Sequence, residues 1–186
     1  MSYYDLRKVN ILVVDDSGFM IKLLKTILRG LAAGTVEECD DPTAVIGCLR
    51  EFQPDVVFLD LEMPGLDGLE VARQIRKGEE APNPFVPIIM VTAHTKKINV
   101  LQARDAGVTE FLAKPVSARS VYERLATCIE APRAFVKTTE FYGPDRRRHT
   151  ESDYGGPERR RKRRAKSATN PASNDGNARA AGGGTT

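Results

Sequence analysis

The sequence predicts an α/β fold, in which a doubly wound, five-stranded parallel sheet carries helices on both faces. Two observations lead to this prediction. Short apolar segments alternate five times with segments whose apolar residues recur at helical spacing, as in chains built from strand and helix units. The strand-like segments also include continuous apolar runs, which are typical of strands buried on both faces of a parallel sheet.

Five short segments have the composition of buried strands. In chain order they span residues 9–14, 35–39, 56–60, 87–91 and 110–113. The first of them contains the run Ile-Leu-Val-Val and is followed by two carboxylates, and the third ends on a carboxylate. We expect functional residues at the carboxyl ends of these two strands, because the functional sites of parallel sheets lie at the carboxyl ends of the strands.

Each predicted strand is followed by a predicted helix. The first helix begins at Ser17 or Gly18 and is closed by Gly34, and Asp41 and Pro42 suit the cap and the first position of the second. The second to fifth helices are expected at 42–53, 67–77, 96–106 and 118–131. Five strand and helix pairs in this order are the pattern of a doubly wound sheet.

The regular pattern stops at Pro132, and the composition divides the chain there. Residues 1–131 hold 15 Lys and Arg against 19 Asp and Glu, residues 132–166 hold 12 against 5, and residues 167–186 hold one of each. We therefore expect a folded domain at 1–131, a basic segment at 132–166 and a disordered tail at 167–186. The residues beyond Pro132 contain too little apolar surface to fold alone.

Cysteine usage and hydropathy predict a cytoplasmic protein without membrane insertion. Cys39, Cys48 and Cys128 are an odd number at wide spacing, which suits reduced thiols better than disulfides or zinc ligands. The first residues, MSYYDLRK, contain no long apolar stretch typical of an export signal. The longest apolar runs are also too short to cross a bilayer.

Polar side chains are predicted to meet at one edge of the sheet. Asp15 and Asp16 follow the first strand, Asp60 ends the third, and Thr92 and Lys114 follow the fourth and fifth. Three carboxylates held together favour a hard divalent cation with oxygen ligands, and we expect Mg²⁺. Thr92 offers a hydrogen bond and Lys114 a positive charge to the oxygens of an anion. The pattern predicts a pocket for a phosphoryl group.

These residues resemble the CheY-like receiver family over residues 8–131. The matched positions are Asp15 and Asp16, Asp60 followed by Met63, Pro64 and Gly68, Thr92 with Ala93, and Lys114 with Pro115. The resemblance implies a flavodoxin-like sheet with strand order 2-1-3-4-5. It also implies a protein that signals by docking rather than by acting as an enzyme.

The resemblance implies a role for each acidic residue. Asp60 would accept a phosphoryl group from a phosphohistidine of a sensor histidine kinase or phosphotransfer protein. Asp16 and Asp60 would bind Mg²⁺ through their carboxylates, Glu62 through its backbone carbonyl and Asp15 mainly through water.

The resemblance also implies how occupancy of the pocket would change the surface. Thr92 and Lys114 would hold the phosphoryl oxygens, and the peptide bond between Lys114 and Pro115 would be cis. In receivers the threonine moves toward the phosphoryl group, and an aromatic residue three positions before the lysine turns inward. Phe111 occupies that position here, where tyrosine is common.

A short pattern occurs twice in the basic segment. FYGPDRRRH at 141–149 and DYGGPERRR at 153–161 each contain Tyr, Gly, Pro, an acid and three Arg. Arginine donates to guanine O6 and N7, stacks on bases and pairs with phosphate, and tyrosine adds stacking faces. A two-fold dinucleotide with two guanines, cyclic di-GMP, matches this symmetry. The candidate ligand residues are Tyr142, Asp145, Arg146, Arg147, Arg148, Tyr154, Glu158, Arg159, Arg160 and Arg161.

The segment at about 135–164 also resembles the arginine-rich extensions of Cle-type CheY-like proteins, which are cyclic di-GMP effectors associated with the flagellar motor. The resemblance implies a flagellar motor switch protein as docking partner. Two alternatives stay open: a basic segment that binds RNA or DNA, and a stand-alone phosphorelay receiver whose tail is inert. Asp145 and Glu158 argue against nucleic acid, because an acid in each cluster weakens phosphate attraction yet accepts from guanine N1 and N2.

Overall fold

A computed structural model describes residues 4–77, 81–93, 97–130, 135–137 and 142–144. All of these residues belong to one compact unit, Met1–Arg148. None of the helices in these ranges is both long enough and apolar enough to cross a membrane.

The centre of the unit is a five-stranded parallel sheet. Its strands are β1 (Ile11–Val14), β2 (Val36–Cys39), β3 (Val56–Asp60), β4 (Ile88–Thr92) and β5 (Glu110–Ala113). They are arranged in the order β2-β1-β3-β4-β5. Every residue of β1, β3 and β4 is buried, as expected for the middle strands of a sheet covered on both faces. The predicted fold class and strand order are confirmed.

Five helices follow the strands. They are α1 (Gly18–Gly30), α2 (Val45–Phe52), α3 (Gly68–Lys77), α4 (Lys97–Asp105) and α5 (Ala118–Glu130). The first helix ends at Gly30 rather than at Gly34, because the turn that follows places Ala32 at a φ of 56°. The second begins as a single 3-10 turn, Pro42–Ala44, whose first free amide is held by the side chain of Asp41.

Two hydrophobic cores lie on opposite faces of the sheet. Alternate residues of β1 point to each face, with Leu12 and Val14 on one side and Ile11 and Val13 on the other. The first face is covered by α2, α3 and α4, and the second by α1 and α5. This arrangement leaves the carboxyl ends of the strands open at one edge, where the polar residues lie.

Two short strands follow the fifth helix, and they correct the expectation that structure ends at Pro132. They are β6 (Phe135–Lys137) and β7 (Tyr142–Pro144), and they pair in antiparallel fashion. The Phe135 ring packs edge to face on Phe85, with ring centroids 5.0 Å apart. Gly143 and Pro144 are buried. The segment has too little apolar surface to fold by itself, but the domain supplies the apolar ring of Phe85, on which Phe135 packs.

Candidate functional site

Three carboxylates meet at the carboxyl edge of the sheet. Asp15 and Asp16 follow β1 directly and Asp60 is the last residue of β3, the neighbouring strand. One oxygen from each of the three lies within 4.8 Å of the others. Asp15 and Asp60 are only 1% and 4% exposed, whereas Asp16 faces solvent. The cluster therefore has a buried floor and one open side.

Lys114 places a positive charge against this floor. Its Nζ lies 2.8 Å from Asp60 Oδ1 and 3.6 Å from Asp15 Oδ2. Its backbone amide donates to the carbonyl of Thr92 at 2.9 Å, which ties it to the end of β4. The bond between Lys114 and Pro115 is cis, as the resemblance implies. Burial lowers the pKa of Lys114, but the two carboxylates outweigh this effect and raise it, so the ammonium stays charged.

Asp15 is buried with only one of its two carboxylate oxygens hydrogen-bonded. The backbone amide of Ser17 donates to Asp15 Oδ1 at 2.8 Å. The other oxygen, Oδ2, is buried and accepts no hydrogen bond. Burial raises the pKa of Asp15, and the neighbouring charges of Asp60 and Asp16 raise it further, against the lowering effects of Ser17 and Lys114. A bound cation would offset the free-energy cost of burying a negative charge on Asp15.

The donor set fits Mg²⁺. All three groups offer hard carboxylate oxygens, one buried oxygen lacks a hydrogen-bond donor, and the exposed Asp16 leaves room for water. Mg²⁺ prefers a few carboxylates and retained waters to a closed protein cage. Among the residues that the structure describes, no sulfur or imidazole ligand belongs to this cluster.

The remaining receiver residues lie around the cluster. Thr92 is the last residue of β4, is buried, and stands beside Ala113 in the register of β5. Phe111 is half-buried in β5 and packs against the core on the side of α2, α3 and α4. Glu62 is exposed in the loop after β3. The roles of Thr92, Phe111 and Glu62 stay predictions.

The sequence pattern does not identify the role of Ser17 at the site or the burial of Arg76 in α3. Ser17 is predicted only as a possible start of the first helix, but its amide orients Asp15 and its hydroxyl accepts from Met20. A serine directly after two aspartates indicates such a cap. Arg76 is 2% exposed and donates to the carbonyls of Gly107 and Pro84 at 3.0 and 2.8 Å. Nothing in the spacing of α3 marks this arginine as buried.

All but one of the predicted ligand residues of the tail lie outside the residues that the structure describes. Only the backbone of Tyr142 is described, as the first residue of β7. The others lie outside the described residues: Asp145, Arg146, Arg147, Arg148, Tyr154, Glu158, Arg159, Arg160 and Arg161.

Comparison with known proteins supports the assignment of the folded unit. The chain is 32% identical over 124 residues to chemotaxis protein CheY-3 of Vibrio cholerae serotype O1, covering 67% of this chain and 94% of that protein. It is 32% identical over 122 residues to chemotaxis protein CheY of Pseudomonas aeruginosa, covering 66% and 97%.

Two similar solved structures contain Mg²⁺ and beryllofluoride. One is the CheX–CheY–BeF₃–Mg²⁺ complex of Borrelia burgdorferi, with a TM-score of 0.59 and 25% identity over 65% of this chain and 89% of that one. The other is the receiver domain of the histidine kinase CKI1 from Arabidopsis thaliana with Mg²⁺ and BeF₃⁻, with a TM-score of 0.57, 28% identity and coverage of 64% and 90%.

The sequence also matches the family described as response regulator receiver domain over residues 11–126. That range contains the whole parallel sheet, all three clustered carboxylates and Lys114. With the fold, the acidic cluster and the relatives in agreement, the chain belongs to the response regulator receiver domain family.

Proposed function

We propose that this receiver accepts a phosphoryl group on Asp60 from a phosphohistidine of a sensor histidine kinase or phosphotransfer protein. The observation that supports this most directly is the position of Asp60. It lies at a strand end, within 4.8 Å of two other carboxylates and 2.8 Å from Lys114 Nζ. In the transfer, an Asp60 oxygen forms a bond to phosphorus as the phosphorus–nitrogen bond of the donor breaks.

Mg²⁺ is the cofactor of this site, in agreement with the fit of the carboxylates and with the Mg²⁺-bound relatives. When bound, it supplies positive charge against the oxygens of the transferred group. Asp15, Asp16 and Asp60 would hold it, together with the backbone carbonyl of Glu62.

Lys114 and Thr92 are proposed to hold the transferred group. Lys114 pairs with Asp60 before transfer, and the same ammonium neutralises a phosphoryl oxygen afterwards. Thr92 ends the neighbouring strand and would donate its hydroxyl to another oxygen. Phe111 lies two residues before the end of β5 and would turn further inward when Thr92 moves. This would carry the change to the surface formed by α4 and β5.

Beryllofluoride, which imitates a phosphoryl group, tests the Asp60 assignment. With Mg²⁺ present it should raise the thermal midpoint of the wild-type chain, because a ligand that binds only the folded state stabilises it. Asp60→Asn should abolish the rise. Asp67→Asn is the matched control, because Asp67 caps α3 outside the cluster and asparagine caps equally well. A wild-type chain with no Mg²⁺-dependent rise would contradict the proposal.

We further propose that the basic segment at 132–166 binds cyclic di-GMP. The support is the repeated Tyr-Gly-Pro, acid and triple Arg pattern, which offers two equivalent sets of guanine and phosphate contacts. The chain would then respond to two inputs, phosphorylation and a second messenger. Its output would be docking to a protein, for which we propose a flagellar motor switch protein in the cytoplasm.

Nucleic acid is the competing ligand, and base identity separates the two. Calorimetric titration of the full chain with cyclic di-GMP, cyclic di-AMP and a short RNA should show binding of the guanine dinucleotide alone. We propose about 0.15 M salt, which screens exposed charges beyond roughly 8 Å. Equal binding of cyclic di-AMP, which lacks the guanine O6 acceptor, would overturn the proposal.

Single arginine substitutions locate the guanine contacts. A bidentate arginine–guanine pair contributes about 1–3 kcal/mol of discrimination. Arg147→Ala and Arg160→Ala should therefore weaken binding about tenfold or more. Arg164→Ala, beyond the second repeat, is the matched control and should matter less. A similar loss for all three, with a steep dependence on salt, would indicate a general polyanion site.

A further inference from the structure

Arg76 forms a junction between the domain and the β6–β7 hairpin. The arginine lies in α3 and is buried. Its guanidinium carbon lies 5.2 Å from the ring centroid of Phe135, the first residue of β6, which is within the range of a cation–π contact. The same side chain donates to the carbonyls of Gly107 and Pro84. One residue thus contacts the hairpin, the loop before β4 and the turn before β5.

The partners of Arg76 are shaped for this junction. Gly107 has a φ of +86°, and a Cβ added to it would stand 2.8 Å from Arg76 Cγ. Both the backbone conformation and the close arginine side chain therefore favour glycine there. Phe85 offers a half-exposed ring on which Phe135 packs edge to face. A buried guanidinium is costly unless it is hydrogen-bonded, and the two carbonyls and the ring offset that cost.

The hairpin ends where the arginine-rich repeats begin. Tyr142, Gly143 and Pro144 form β7 and are also the first three residues of the first repeat pattern. Gly143 and Pro144 are buried, and β7 packs against α3. The first triple arginine starts at Arg146, two residues beyond the buried proline. The start of the first repeat is therefore attached to the receiver.

We propose that the β6–β7 hairpin is a docking arm of the receiver, and that Arg76 is the positioning residue that holds it. The arm fixes the described start of the first repeat, Tyr142–Pro144, on the receiver before any ligand arrives, and this would preorganise part of the binding segment. Preorganisation strengthens binding by reducing the ordering cost. The consequence for affinity rests on the proposed binding of cyclic di-GMP, whereas the docking itself does not.

A single tryptophan reports docking directly, because the chain contains none. In the full-length Phe135→Trp protein, the docked indole should emit at shorter wavelength than in the same protein unfolded in urea. Adding Arg76→Gln should shift the emission to the wavelength of the unfolded protein. Arg73→Gln is the matched control on the same helix, since Arg73 is half-exposed and pairs with Glu70. It should leave the emission unchanged.

The affinity for cyclic di-GMP tests whether docking preorganises the binding segment, and Phe135 suits this test because it belongs to neither of the two hydrophobic cores. Phe135→Ala in the full chain should weaken cyclic di-GMP binding about threefold to tenfold, because the released segment must then be ordered when the ligand binds. Far-ultraviolet circular dichroism of Phe135→Ala and of Arg76→Gln checks that the fold persists. If Arg76→Gln unfolds, Phe85→Ala, a half-exposed residue, replaces it in the emission experiment.

The outcomes separate the two proposals. If the indole of Phe135→Trp already emits at the wavelength of the unfolded chain, the docking-arm proposal is wrong, whatever the tail binds. It is also wrong if neither Arg76→Gln nor Phe85→Ala changes the emission wavelength. If the indole responds as expected and Phe135→Ala leaves the affinity unchanged, the positioning role is wrong. If the wild-type chain binds no cyclic di-GMP while the indole responds, the docking arm stands and the proposed ligand fails.

Discussion

Gly68 packs directly against the backbone of Asp60. A Cβ added to Gly68 would overlap the carbonyl oxygen of Asp60 and would stand 3.0 Å from the Cα of Leu61. The Gly68 amide also donates to the carbonyl of Leu61 at 2.9 Å. Gly68, the first residue of α3, therefore packs against the end of β3, and any side chain at this position would displace the strand.

Gly68→Ala should move the end of β3 and disturb the cluster. We expect a loss of about 1–3 kcal/mol in unfolding free energy, as for other overpacked sites, and weaker stabilisation by beryllofluoride. Gly47→Ala is the matched control, because Gly47 is an exposed helical glycine with nothing near an added Cβ. It should raise stability by up to about 1 kcal/mol. Urea unfolding measures both, and equal effects would show that Gly68 has no special contact.

Asp15→Asn should stabilise the chain when Mg²⁺ is chelated. The pKa of Asp15 is raised by folding, so its ionisation opposes folding, and this cost appears as the pH rises through the unfolded carboxyl's pKa toward the folded one. Asparagine keeps an oxygen for the Ser17 amide without the charge. We expect a higher urea midpoint at neutral pH in chelator, and a smaller gain on adding Mg²⁺ than in the wild type.

Asp5→Asn provides the opposite sign as a control. Arg7 lowers the pKa of Asp5 to about 2, so its contribution to stability is present above the unfolded pKa and is lost as the pH falls toward about 2. Asp5→Asn should lower the midpoint slightly at neutral pH. If both substitutions lowered the urea midpoint, the inference that ionised Asp15 opposes folding would be wrong.

The sheet and the acidic pocket were predictable from sequence because both depend on local patterns. The apolar runs that end on Asp15 and Asp60 specify buried strands, and the topology of parallel strands brings their ends together. The β6–β7 hairpin was not predictable in this way. Its apolar partner is Phe85, fifty residues earlier, and no periodicity in the tail records that distant contact. The buried position of Arg76 also depends on partners distant in sequence.

Truncation should place the end of the folded unit after the hairpin. A chain ending at residue 148 should match the urea midpoint of the full chain, because the compact unit ends there. A chain ending at residue 131 lacks the Phe135 contacts and should lose about 1 kcal/mol or more, by the usual value of a partly buried aromatic side chain. Identical midpoints for both truncations would show that the hairpin contributes nothing to stability.

Cys39 should be inert as a thiol. Burial, followed by contact with Cys48, raises its pKa to about 12. At pH 8.5 a disulfide reagent should modify the half-buried Cys48 well before Cys39, as mapped by mass spectrometry of peptides. Because folding raises the pKa of Cys39, the contribution of its protonated thiol to the stability of the fold is lost as the pH rises from about 8.5 toward about 12. Equal rates for the two thiols would contradict this environment.

The most direct test of the account is to locate the phosphoryl group itself. The full-length chain is incubated with a small phosphodonor, with and without Mg²⁺, and the modified peptides are mapped by mass spectrometry. The account predicts one acid-stable, base-labile phosphoryl group on Asp60, formed only with Mg²⁺ and absent from Asp60→Asn. Labelling of another residue, or none at all in the presence of Mg²⁺, would contradict the assignment of Asp60 as the phosphoacceptor.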